Sequence, residues 1–157
     1  MLTPEARHSI EQSVLCWLAT SNSSGQPSVS PKEIFAPHGD DALLIANIAS
    51  PGSMKNIRGN PRVCVSVLDI FTQRGNQIFG TAEIITKSDS RFGGYSEPLI
   101  ALAGPDYPFS SLFHITVNSC KEIVAPRYKL FPDTTEQEQI ESAMHTYGVR
   151  PNTTATN

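Results

Sequence analysis

Ser50-Pro-Gly-Ser-Met-Lys-Asn-Ile-Arg-Gly-Asn-Pro61 is the stretch on which the reading of this chain turns. It predicts a short helix between two apolar strands. Ser50 is placed to cap the first free amides, and Pro51 suits the first helical position. Gly52 and Ser53 put little bulk in front of those amides, Lys55 and Arg58 add positive charge, and Asn60-Pro61 ends the helix. A helix start carries roughly half a positive charge and several unpaired N–H donors, so phosphate is a natural ligand for it. The same signature also fits an ordinary capped connector. Met54 and Ile57 share a helix face suited to the core.

Working outward, residues 42–48 form an apolar strand before this helix. After it, residues 62–69 alternate, with Val63, Val65 and Val67 on one face. Toward the N-terminus, residues 14–20 and 26–35 read as a hairpin around Ser21-Asn-Ser-Ser-Gly25, and residues 37–41 read as a turn. Thr3-Pro4 opens a helix running to about residue 13. Toward the C-terminus come a polar turn at 72–76, a strand at 77–86 and a helix from 88 to about 103, interrupted by Gly93, Gly94 and Pro98. A long strand follows at 111–124, then a closing helix at 134–147. Six short antiparallel strands with flanking helices favour a barrel over a doubly wound sheet. Residues 1–150 read as one domain and 151–157 as a flexible tail.

The chain has 157 residues, 39% of them hydrophobic and 17% charged, enough for one globular core. A net charge of −3 and the lack of any basic run argue against nucleic acid as a partner. No apolar stretch approaches the roughly 20 residues that span a bilayer, and the polar N-terminus is not a signal peptide, so a cytoplasmic protein is expected. Cys16, Cys64 and Cys120 are scattered singly and read as structural thiols. No metal-ligand spacing links them to His8, His38, His114 or His145, so no metal is expected.

Four pieces, in order and spacing, resemble the pyridoxamine 5'-phosphate oxidase-like FMN-binding split β-barrels. They are Trp17-Leu-Ala-Thr20 with Gly25-Gln-Pro-Ser-Val-Ser-Pro31, then Leu44-Ile-Ala-Asn47, then Asn56-Ile-Arg-Gly-Asn-Pro-Arg-Val63, then Arg74 with Gly80-Thr-Ala-Glu83. The resemblance covers roughly residues 14–86. It implies that Ser30, Pro31, Lys32 and Glu33 line the isoalloxazine ring. It implies that Ile45, Ala46 and Asn47 meet the ribityl chain and phosphate through their backbones, and that Ser53, Lys55 and Asn56 grip the phosphate. Arg74 and its neighbours would reach the flavin from the following strand pair. A homodimer with flavin at the interface is also implied.

Three departures from the family pattern stand out. The usual phosphate lysine position holds Ser53, leaving Lys55 or Arg58 to approach from another side of the helix. The usual glutamine after the arginine is Gly75, and Gln77 lies on the same strand face unless a bulge intervenes. The closing tryptophan and arginine motif of authentic pyridoxamine phosphate oxidases is absent, for the only tryptophan is Trp17.

Lys32 reads either as a solvated charge on an edge strand beside Pro31 or as a cation facing the flavin. Phe71, Tyr95, Tyr107 and Tyr128 are the aromatic candidates to cover the ring. No nucleophile–base pair is evident, which fits chemistry carried by a cofactor. The resemblance therefore implies an FMN-dependent oxidoreductase drawing on a nicotinamide or a small organic substrate. A non-catalytic flavin-binding or sensing protein is the alternative.

Overall fold

Thr3 accepts a hydrogen bond from the Ala6 amide at 3.1 Å and Pro4 takes the first helical position, which starts α1 (Pro4–Gln12). In this computed structural model residues 1–152 are described, so most of the expected tail lies outside the described residues. The strands are β1 (Cys16–Ser21), β2 (Pro27–Lys32), β3 (Phe35–His38), β4 (Ala42–Ala46), β5 (Arg62–Asp69), β6 (Arg74–Thr86) and β7 (Ser111–Val124). The remaining helices are α2 (Pro51–Gly59), α3 (Phe92–Ala103), α4 (Pro126–Leu130) and α5 (Glu136–Tyr147).

All seven strands form one antiparallel sheet in the order β2-β1-β5-β6-β7-β4-β3. The edge strands β2 and β3 are separated in sequence only by Glu33 and Ile34. Three Cα steps from Lys32 to Phe35 reach at most roughly 11 Å. The sheet must therefore curl until its two edges nearly meet. They do not pair, and the barrel stays open along that seam.

The expected count of six strands is corrected to seven. The expected single strand at 26–35 is divided between two, because its halves pair with different partners: β2 with β1, and β3 with β4. Both carry proline, Pro27 and Pro31 in β2 and Pro37 in β3, which edge strands tolerate. The expected turn at 37–41 shrinks accordingly, with Gly39 in left-handed backbone (φ 53). The expected turn at 72–76 also moves back. Arg74 to Asn76 already pair with β5, and Gln73 turns the chain with φ 53. Helix α3 begins at Phe92 instead of 88, and α4 was not expected.

The barrel interior holds Leu18, Val65, Val67, Ile78, Phe113 and Ile115, all essentially unexposed. Ala6 and Ile10 of α1 plug it, and Ile57 and Met54 of α2 pack against it, as their spacing requires. Cys16 is buried in the same cluster. A second cluster lies beneath α3, built from Leu44, Ala46, Ile85, Leu99 and Leu112.

Candidate functional site

The open seam of the barrel and the start of α2 lie together, and the site is built there. β4 ends at Ala46, and the chain turns through Ala49 in left-handed backbone (φ 50) before α2 begins. Ser50 occupies the cap position but makes no side-chain cap. Its hydroxyl instead donates to the Ile48 carbonyl at 3.1 Å and accepts from the Lys32 ammonium. The expected Ser50 cap is thus corrected: Lys32 and Ile48 take up the hydroxyl, and the first amides of α2 keep no side-chain partner. The first helical hydrogen bond comes from Met54 N–H to Ser50 O at 3.2 Å.

One face of α2 lies on the inner side of the β1–β2 hairpin through polar pairs. Ser53 meets Ser30 hydroxyl to hydroxyl at 3.2 Å, and Asn56 donates to Thr20 Oγ1 at 3.0 Å. Asn60 donates to Ser21 Oγ at 2.8 Å where the strand ends. The register sets Lys32 beside Cys16, Val67 and Asn76 in one row, and the buried members of that row show that Lys32 points inward. Lys32 is only 7% exposed. Burial pushes its pKa down, opposed by Cys16, and burial pushes the Cys16 thiol up to about 12, so that thiol is neutral near pH 7.

Beside these residues a cleft of about 210 Å³ is lined by Pro31, Lys32, Glu33, Ile34, Ala46, Ile48 and Tyr107. Four of the residues singled out from sequence thus meet around one space: Pro31, Lys32, Glu33 and Ala46. Ser30 and Ser53 adjoin it through the Lys32 strand and the α2 start. Ile45 is fully buried in the barrel core. The side-chain amide of Asn47 turns away to donate to Ser111 Oγ at 2.9 Å, leaving only its backbone near the site. Lys55 is exposed, about 200° around the helix from Ser53; Arg58 is exposed as well.

Arg74 and Gln77 do not join the cleft within one chain. Arg74 forms ion pairs with Glu136 (3.2 Å) and Glu122 (3.6 Å), and its guanidinium lies 4.2 Å over the Tyr128 ring. Gln77 pairs in register with Ser66 and Lys121, on the face opposite the inward Asn76. The ladder is continuous from Gly75 to Gln77, with its bulge later, at Phe79/Gly80. The condition for Gln77 to share the Gly75 face is therefore met. Gly75 itself has no room for a side chain: a Cβ there would stand 2.0 Å from the Val67 carbonyl oxygen.

The cleft also contains residues that sequence reasoning did not place. Ile34 and Ile48 flank expected site residues. Tyr107 was one of four aromatic candidates, and only the fold picks it out. A second polar cluster forms under the N-terminal end of α3. His114 Nδ1 lies 3.2 Å from Glu83 Oε1, Tyr95 stacks on His114 at 5.0 Å, and the His38 ring is 6.2 Å from His114. No group of three His, Cys, Asp or Glu among the described residues is placed to hold a metal ion.

Comparison with known proteins gives a family and a fold. The family model described as pyridoxamine 5'-phosphate oxidase matches residues 2–124, well beyond the stretch that carried the resemblance. An FMN-binding protein from Syntrophomonas wolfei is similar at TM-score 0.68 and 13% identity, covering 79% of this chain and 87% of that one. HupZ from Group A Streptococcus is similar at TM-score 0.65 and 22% identity, over 76% of this chain and 92% of that one. HutZ from Vibrio cholerae, described as a haem storage protein, is similar at TM-score 0.62 and 15% identity, over 78% of this chain and 94% of that one. Identities this low speak to the fold alone. No curated protein matches the chain.

Proposed function

The chain belongs to the pyridoxamine 5'-phosphate oxidase family, and from that premise we propose that it is an FMN-dependent oxidoreductase acting as a homodimer. The observation that carries this reading is the cleft at the barrel seam, where Pro31, Lys32, Glu33 and Ala46 meet beside uncapped helix amides. Those amides and the Lys32 ammonium suit the phosphate of a mononucleotide. Ile34, Ile48 and Tyr107 offer apolar and aromatic surface to a flat ring. When bound, FMN would supply the redox chemistry, and the residues present bind it, orient it and tune it electrostatically.

At about 210 Å³ the cleft is smaller than the roughly 300–1,000 Å³ of most small-molecule sites. A second copy completing it fits that shortfall. The outward face of the sheet supports such pairing. Trp17, Val29 and Phe79 are 46%, 58% and 39% exposed there, with Ala19 between Val29 on β2 and Cys64 on β5. Exposed apolar side chains grouped on one sheet face support reading that face as an interface. Gln77 belongs to the same face, so a partner subunit would bring it toward the shared site.

A cytoplasmic setting fits three free cysteines, and no helix among the described residues is long and apolar enough to cross a membrane. The likeness to HutZ makes haem the competing ligand. The spectrum of the purified protein separates the two, since flavin and haem absorb differently. Anaerobic addition of NADH or NADPH then distinguishes a reductase, which bleaches, from a flavin carrier or sensor, which stays yellow. A protein that arrives colourless and takes up no added FMN would end the oxidoreductase reading.

A further inference from the structure

We propose that Lys32, reaching from β2, supplies the positive charge that pairs with the mononucleotide's phosphate, in place of the helix lysine this chain lacks. The assignment rests on the FMN reading above and adds to it the identity of the cation.

The first ground is burial without compensation. Lys32 is 7% exposed, and an ammonium offers three hydrogen-bond donors. The one hydrogen-bond acceptor seen for it is Ser50 Oγ, a neutral group, and no carboxylate among the described residues is within ion-pair distance of it. Cys16, its register partner on β1, is a neutral thiol near pH 7 and supplies no counter-charge there. Buried charges without a counter-charge are costly and persist where a ligand or partner supplies one.

The second ground is placement. Ser50 is the residue just before α2, at its cap position, so the ammonium stands at the positive end of a helix nine residues long. A cation there meets the helix dipole with the wrong sign. An anion seated between the two reconciles them, because it accepts from the ammonium and from the free amides of α2 together. Ser53, buried against Ser30, adds a hydroxyl on the same side. The third ground is access: Lys32 lines the open cleft, whereas Lys55 and Arg58 are exposed on α2 and do not line it. A phosphate monoester, compact and doubly charged, is the ligand chemistry this arrangement takes.

Flavins with and without phosphate test the assignment. Wild type, Lys32→Gln, Lys32→Met and Lys32→Arg are titrated with FMN and with riboflavin, which has the same ring and ribityl chain but no phosphate. Lys32→Gln and Lys32→Met should weaken FMN by about 10- to 100-fold and leave riboflavin within about twofold, while Lys32→Arg keeps most of the FMN affinity. Without flavin, both neutral variants should melt no lower than wild type, since each removes a buried, uncompensated charge. Equal losses for FMN and riboflavin would assign Lys32 to the ring and overturn the proposal. An unchanged FMN affinity in both neutral variants would also overturn it, and leave the FMN reading standing. A wild type that binds neither flavin would overturn that reading and this assignment together.

Discussion

His114 projects from β7 into a setting of mixed charge: Glu83 at 3.2 Å, Tyr95 stacked on its ring, His38 beside it, and Arg91 hydrogen-bonded to Glu83 at 2.9 Å. Burial pushes its pKa below the ordinary 6.5; Glu83 and Asp41 oppose that shift, while His38 and Arg91 add to it. The folded protein thus binds this proton less readily than the unfolded chain. The neutral ring's contribution to stability is complete above about pH 6.5 and is lost as pH falls from there toward the folded value. The loss from one such group is at most about 1.4 kcal/mol per pH unit. Denaturant melts between pH 8 and pH 5 should show a decline that flattens in His114→Gln; an equal decline in both proteins would place the titrating group elsewhere. Single residues also mark how far sequence reading reaches. Lys32 was singled out in the sequence because the family resemblance sets it on the strand along the flavin, with a solvated edge-strand charge as the alternative. Its inward direction was not legible, since strand alternation gives two faces and leaves open which one the barrel encloses.

Among the elements, α2 was read with close bounds because proline and serine open it and Asn60-Pro61 ends it. Its stripe of Ser50, Ser53, Asn56 and Asn60 has helical spacing, but the Ser30, Lys32, Thr20 and Ser21 partners lie 18 to 39 residues away in sequence. β6 was read short by three residues, because its polar start, Arg74-Gly-Asn76, looks like turn composition. Pairing on both sides, with β5 and β7, overrides that local signal. Gly75 shows the physical constraint. A Cβ at this position would lie 2.0 Å from Val67 O and 2.9 Å from Leu68 Cα, both backbone atoms. Gly75→Ala should force β5 and β6 apart and cost about 1–3 kcal/mol in chemical denaturation. A variant as stable as wild type would mean the two strands are not so closely apposed. The same crowding explains why the glutamine of related sequences has no place at 75 and why Gln77 is the residue available on that face.

For the whole molecule, the question is what the outward sheet face meets. Trp17 pairs in register with Pro31 on one side and Ser66 on the other, which sets its large flat ring on the same outward face as Val29 and Phe79. Trp17→Glu should convert a dimer to monomers in sedimentation analysis, because a buried unpaired carboxylate is costly at an apolar interface. The folded circular-dichroism spectrum should survive, as Trp17 is 46% exposed in the single chain. If wild type itself sediments as a monomer, the outward face is not a self-interface. Hydrophobic alternation, turn residues and proline positions, all encoded within a few positions of one another, determined that this chain makes short antiparallel strands and a proline-led helix start suited to an anion. Only the tertiary structure decided that the run at 26–35 divides between opposite sheet edges, that the seam so left open is where Lys32, Ala46 and Tyr107 converge, and that the Ser50 hydroxyl serves a lysine instead of its own helix. Those outcomes depend on the curling of the whole sheet, a long-range balance of pairing, twist and burial that no local window of sequence contains.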